Sequence, residues 1–293
     1  MPTGSEKARR SDGQRPDQVS ALVRGIEVLR CFQAGARALS NGEIARRTGI
    51  PKPTVTRLAA TLVSLGYLKQ MPDTDKYAMS AGVLSLAQAF LSGLDVRASA
   101  RPHMLELAES VDAAVYLAAR DGLNMVLIEA CRSQSTMIHS RVGVGSQLDL
   151  VTAAAGRAYL SALGTAERDT LIAQMRKAHG ARWSRYSAGL ERALRDAAAR
   201  GYAMSAGEWH PDINTVAVAL HPAEGELLAL TCGGPAFAFP ANYLRKSIAP
   251  RLLETAIAIA REIGGGVPVE APARTPMRRA AGRTPTARDN AGP

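Results

Sequence analysis

The sequence predicts an α+β protein built from two unlike domains, and three observations predict it. Within the first eighty residues the apolar period switches from helical to strand-like. The following stretch, to about residue 265, mixes helical and strand patterns. At 293 residues the chain exceeds one typical domain, with 46% hydrophobic and 21% charged residues, as in an ordinary globular protein.

The elements follow in order. From Val19 to Phe32, Leu22, Ile26, Leu29 and Phe32 share one helical face. Ser40-Asn41-Gly42-Glu43 fits a capping box, in which the hydroxyl caps a new helix and Glu43 reaches back to the free amide. That helix, 41–48, stops at Gly49, a residue that tolerates a left-handed backbone. Pro51 and Pro53 suit the start of the next helix, 52–65, where a missing N–H costs nothing. Val55, Leu58, Leu62 and Leu65 continue it at helical spacing, and after Gly66 a hairpin is expected: Tyr67–Gln70, a turn at Pro72–Asp75, then Lys76–Met79.

Helix, short turn, helix, hairpin is the order of a winged helix-turn-helix, here over 19–80. Helix 41–48 should brace helix 52–65 by burying Ile44, Ala45, Val55, Leu58 and Leu62. The leading end of the second helix then carries Lys52, Thr54, Thr56 and Arg57 outward, where hydroxyls and a guanidinium can reach a major groove. Arg57 is the candidate for a base or phosphate contact, because its fork matches two acceptors on guanine. Arg46, Arg47, Lys69 and Lys76 suit backbone phosphates. The same order also serves bundle edges and winged protein-interaction modules, so element order alone leaves double-stranded DNA one partner among others.

Charge points the same way. Of the net +10, residues 21–80 hold nine Lys/Arg against four Asp/Glu, residues 267–293 five against two and residues 1–20 four against three, leaving +1 for 81–266. A localised basic domain suits a polyanion, although many basic faces are merely solvated. Residues 1–18 and 266–293 have almost no large apolar side chains and are expected to be disordered, the latter as a basic tail.

Residues 81–94 form a helix more apolar than a solvated linker, and 95–110 a second one containing Pro102. Beyond them, strands are expected at 114–119, 125–130, 202–205, 213–220 and 226–232, and helices at 152–163, 165–179, 187–200 and 242–263. Ala153–Gly156 and Gly233-Gly234 concentrate small residues at a helix start and a strand end. There they would let backbone amides approach a ligand, a carboxylate above all, or serve tight helix–sheet packing.

Several classes are disfavoured. No signal peptide or membrane-length apolar run is present, so a cytoplasmic, nucleoid-associated protein without a membrane partner is expected. Cys31, Cys131 and Cys232 are odd in number and widely spaced, as buried structural thiols are. Gly143-x-Gly145 lacks a dinucleotide fingerprint, no nucleophile elbow or phosphate loop occurs, and the five histidines lack metal-ligand spacing. Neither an enzyme nor a cofactor or metal site is expected.

Longer blocks carry a resemblance. ALVRGIEVLRCF, LSNGEIARRTGIPKPTVTRLAATLVSLGYL and the KQMPDTDKYAMS hairpin resemble the DNA-binding domain of IclR-family regulators. LDLVTAAAGRAYLSAL (148–163) is similar to that family's Leu-Pro-Leu-His-Ala-Thr-Ala-x-Gly-Lys-Ala segment, and 201–235 to its Gly-Tyr-Ala-x-Ser-x-Gly-Glu signature and following strands. The likeness covers roughly 20–265. It implies a GAF-like α/β effector-binding domain (95–265) joined through a linker helix (81–94) to the winged domain. It also implies homodimers or dimers of dimers on palindromic operators, and a sequence-specific transcription regulator controlled by a small organic acid.

Carried over residue by residue, the effector site would comprise Ala154, Ala155, Gly156, Ala206, Glu208, Thr215, Thr231 and Gly233. The chain departs from the family pattern at Asp149 (proline), Val151 (histidine), Arg157 (lysine), Ala206 (an acid) and Gly233 (serine). The lost polar partners point to a less polar effector, an aromatic or medium-chain acid, with Trp209 as an apolar wall or as plain core. Pairing through helices 21–32 and 81–94 would present two winged domains to two half-sites. The competing reading is a nonspecific or architectural DNA-binding oligomer without a ligand switch. An enzyme with an appended winged domain is a third.

Overall fold

The computed structural model describes residues 19–32, 37–133 and 142–268. The chain divides between Ala98 and Ser99 into two compact units.

The first unit runs α1 (Ser20–Arg30), β1 (Leu39–Ser40), α2 (Asn41–Thr48), α3 (Lys52–Ser64), β2 (Leu68–Gln70), β3 (Lys76–Met79) and α4 (Gly82–Ser92). The capping box forms at α2: the Glu43 amide donates to Ser40 Oγ at 3.3 Å, and the Ser40 amide donates to Glu43 Oε2 at 2.8 Å. Gly49 ends α2 at φ 72°, in the left-handed region. Val28, Ile44, Val55, Ala59 and Leu62 join Leu39, Ile50, Leu68 and Tyr77 in one core, with Ala45 and Leu58 partly buried against it. The hairpin lies in a three-stranded sheet of order β1-β3-β2, its first strand too short to register as a period. Gly82 starts α4 where any Cβ would stand 2.5 Å from the Gly66 carbonyl oxygen, so only glycine fits that approach.

Two helices keep apolar surface out of this core. On α1 only the C-terminal half enters it, while Leu22 and Ile26 are 65% and 43% exposed. On α4 no residue is buried, and Leu84, Leu86 and Phe90 are exposed.

The second unit holds most of α5 (Asp95–Val111), then β4 (Ala114–Asp121), β5 (Asn124–Arg132), β6 (Gln147–Asp149), α6 (Ala154–Ala162), α7 (Thr165–His179) and α8 (Trp183–Arg200). β7 (Ala203–His210), β8 (Ile213–Leu220), β9 (Leu228–Pro235), α9 (Ala241–Tyr243), a π turn (Leu244–Ile248) and α10 (Ala249–Glu262) follow. The six strands pair antiparallel in the order β6-β5-β4-β9-β8-β7. The fold is thus the expected helix-turn-helix unit followed by an α/β domain. Backbone pairing of Gly266 with His221 carries that domain past the end expected at 265. The expected disorder of 1–18, and of the tail beyond 268, lies outside the described residues.

Every residue from Leu150 to Leu160 is buried, so α6 is the central helix of this unit. It drops close to the preceding turn, where a Cβ on Gly156 would meet the Leu150 Cα and carbonyl oxygen at 2.4 Å. Asp149 builds that turn. Its Oδ1 accepts from the amides of Val151 and Thr152 at 3.0 and 2.9 Å and from the Thr152 hydroxyl at 3.0 Å, while Oδ2 faces His179 Nε2 at 3.2 Å.

Candidate nucleic-acid interface and ligand cavity

At the leading end of α3, Lys52, Thr56 and Arg57 are exposed and Thr54 is half-buried, while Val55 between them anchors the helix in the core. Proline at the second helical position and the turn from Gly49 aim this end outward. Thr56 is not free: its hydroxyl donates to the Lys52 carbonyl at 3.0 Å and accepts from Asn41 Nδ2 at 3.2 Å. Asn41 is a positioning residue that sequence reasoning assigned only to a cap. Arg46 and Arg47 are exposed on α2, but Arg47 Nη1 donates to the Cys31 carbonyl at 2.9 Å and so ties α2 to the end of α1. Lys69 and Lys76 are exposed on the hairpin strands.

In the second unit a cavity of about 650 Å³ opens between α6 and the sheet. Its floor follows one row of the antiparallel register, Arg132–Ala114–Gly233–Thr215, across β5, β4, β9 and β8. Three strand spacings make that row roughly 14 Å long. Ala154, Ala155, Trp209, Thr215, Thr231 and Gly233 all line the cavity. Tyr116 and Phe239 line it too, and aromatics make up only 4% of the chain. Neither was singled out from the sequence, though Tyr116 sat in an expected strand and its scarce residue type was a usable signal.

Polar groups in this cavity are few. The Thr231 hydroxyl donates to the Val216 carbonyl at 3.0 Å, leaving its lone pairs for a ligand. Arg132 stacks over the Tyr116 ring at 5.9 Å and donates to the Val142 carbonyl. Ala153 begins α6 in extended conformation with no side-chain cap, and Ala153, Ala154 and Ala155 line the cavity.

Three expected site residues do not reach the lining. Gly156 is committed to the close approach onto Leu150. Ala206 is exposed at the start of a strand irregularity between Ala206 and His210. Glu208 turns away within that irregularity and pairs with Arg157, Nη1 to Oε2 at 2.5 Å and Nη2 to Oε1 at 3.0 Å. Gly233 also departs from a pure ligand role: a Cβ there would lie 2.2 Å from the Asn214 carbonyl oxygen and 2.8 Å from Thr215 Cα.

Burial is the largest influence at all three cysteines and raises each thiol, Cys31 included. Burial pushes the Cys232 thiol up to about 12, and raises Cys131 despite the lowering influence of Arg101.

Comparison with known proteins accounts for both units. Residues 21–72 match the model of the IclR helix-turn-helix domain, and residues 88–261 that of the bacterial transcriptional regulator IclR C-terminal domain. The chain is 34% identical over 236 residues to the HTH-type transcriptional regulator TsaQ1/TsaQ2 of Comamonas testosteroni, covering 80% of this chain and 84% of that protein. It is 28% identical to the Pca regulon regulatory protein of Pseudomonas putida, over 73% of each. Among solved structures, an IclR-family transcriptional regulator from Brucella abortus is 43% identical with a TM-score of 0.77, covering 84% of this chain and 93% of that one. An IclR homologue from Microbacterium hydrocarbonoxydans, crystallised in complex with 4-hydroxybenzoate, shares the fold at 22% identity and a TM-score of 0.65, over 83% of this chain and 99% of that one. These relatives are transcriptional regulators rather than enzymes, and the chain belongs to the IclR family of DNA-binding bacterial transcriptional regulators.

Proposed function

We propose that this regulator is ligand-controlled: a small aromatic acid seated in the cavity at the start of α6 changes affinity for a specific operator. The observation that carries this reading is the cavity's character. About 650 Å³ walled by Trp209, Tyr116, Phe239 and alanines is much larger than a two-carbon oxo-acid needs, and its apolar, aromatic walls favour an aromatic ring, with room to spare. The uncapped first turn of α6 supplies amides and a positive helix end for a carboxylate. Within the same fold, the Microbacterium homologue bound to 4-hydroxybenzoate is a precedent for such an occupant.

On the DNA side, Lys52, Thr54 and Arg57 enter the major groove, with Arg57 reading a base and Lys69, Lys76 and Arg46 holding phosphates. Arg47 and Thr56 act first through the intramolecular bonds that orient α2 and α3. The exposed apolar residues of α1 and α4 favour a homodimer, which matches a palindrome with half-sites about 10 base pairs apart or a multiple. Ligand binding then shifts the population of dimer or tetramer arrangements and thereby operator affinity.

The test pairs calorimetric titration against benzoate-type acids and glyoxylate with operator gel shifts in each ligand. Aromatic acids should bind and move the operator midpoint. Tight glyoxylate binding with indifference to aromatic acids would overturn the reading.

A further inference from the structure

The effector cavity has two walls that meet at no covalent joint: the start of α6, carrying Ala154 and Ala155, and the end of β7, carrying Trp209 and His210. Behind them, facing away from the cavity, one ion pair spans the gap. Arg157, one helical turn beyond Ala153, is 2% exposed, one of the largest fully buried side chains. Its Nε donates to the Val151 carbonyl at 2.9 Å, in the turn that leads into α6. Its Nη1 donates to the Met204 carbonyl on β7 at 2.9 Å, and both terminal nitrogens grip the Glu208 carboxylate.

The surroundings are shaped for this pair. Gly207 adopts φ 72° inside the strand irregularity, which turns Glu208 toward α6 and leaves the adjacent Trp209 on the cavity side. The Trp209 amide donates to Ser205 Oγ at 3.3 Å across the same irregularity. Opposite, α8 presents Gly189, where a Cβ would stand 2.7 Å from Glu208 Oε1 and 3.3 Å from Arg157 Nη2. A planar fork held by a bidentate carboxylate fixes both distance and orientation, which a lysine's single ammonium does not.

We propose that Arg157 and Glu208 are positioning residues for the effector cavity: without touching ligand, they clamp the Trp209 wall against the start of α6 and so set the cavity's width. The proposal rests on the reading of that cavity as the effector site. It gives Glu208 a role in sensing that acts entirely through Arg157.

The chain has two tryptophans, so each can report alone. In Trp183→Phe protein, Trp209 reports the cavity wall; in Trp209→Phe protein, Trp183 reports the start of α8, which packs against the same apolar cluster without lining the cavity. Glu208→Gln is introduced into both. Because removing the counter-charge of a buried guanidinium can cost the fold, the neutral double variant Arg157→Met/Glu208→Gln is made alongside. The expected result is a red-shifted Trp209 emission and an acrylamide quenching constant about twofold higher in the ligand-free protein, with Trp183 unmoved. In the Trp183→Phe background, which leaves the cavity wall intact, 4-hydroxybenzoate should bind the Glu208→Gln and neutral double variants roughly tenfold more weakly than the Trp183→Phe protein itself. An unchanged Trp209, an equal response of both tryptophans, or failure of the neutral double variant to fold would overturn the proposal. A parent protein that ignores 4-hydroxybenzoate while Trp209 still responds would sink the aromatic-acid reading and leave the clamp standing.

Discussion

Asn41 of α2 and Thr56 of α3 are joined side chain to side chain, the amide Nδ2 donating to the hydroxyl oxygen at 3.2 Å. The bond crosses between the two helices of the DNA-reading unit at their exposed ends. It makes Thr56 part of the frame and leaves Arg57, one residue on, as the long donor free of that frame.

Arg57→Ala should therefore cost about 1–3 kcal/mol on the operator and erode discrimination. Lys76→Ala should weaken all duplexes alike and lower the salt slope by about 1. Titrations on operator and random duplexes at several salt concentrations check both. Equal losses on the two duplexes for Arg57→Ala would contradict its role.

Gly233→Ser restores the residue frequent in the family, yet it should not restore a polar effector contact. The added Cβ meets backbone atoms of Asn214 and Thr215. Overpacking of about 1–3 kcal/mol is expected, seen as a lower melting temperature without any gain in glyoxylate affinity. A serine variant that melts like the parent and binds glyoxylate tightly would refute this.

The Ser40 amide, then its hydroxyl, hold the Glu43 carboxyl below the usual carboxylate range. A depressed folded value means that the box stabilises the fold above the unfolded value, about 4.3, and loses that contribution as pH falls through the folded value. Melts of the parent should fall with acidification in that window, and Glu43→Gln should flatten the fall. Parallel pH profiles would count against the capping box as the titrating device.

Cys232, wholly buried on β9 with its thiol pushed up to about 12, should resist thiol reagents at pH 8 in the native protein. A colorimetric disulfide reagent should label it only after denaturation. Labelling of Cys232 in folded protein at the rate of an exposed thiol would mean that β9 is open.

Local grammar made the DNA unit legible. The Ser40–Glu43 box, Gly49, Pro53 and the period of Val55, Leu58 and Leu62 are all short-range signals, and the helices stand where they place them. β6 escaped because three residues carry no period. The exposure of Leu22 and Ile26 was hidden for another reason: an apolar face states that it wants a partner, not whether this chain supplies one. In the second unit the resemblance pointed to residues that line the cavity but did not separate two uses of small or charged residues. Gly156 is small because Leu150 presses on it, and Glu208 is acidic because Arg157 lies 51 residues away in sequence and against it in space. Neither steric approach nor a long-range ion pair leaves a periodic trace.

The most direct test is a calorimetric titration of the full chain with 4-hydroxybenzoate, repeated on the cavity-filling variant Ala155→Leu, at a lining residue that shares one apolar cluster with Trp209. The expected result is saturable one-to-one binding by the parent, abolished in a folded Ala155→Leu protein. Equal binding by both proteins would place the ligand elsewhere and contradict the cavity as the sensing site.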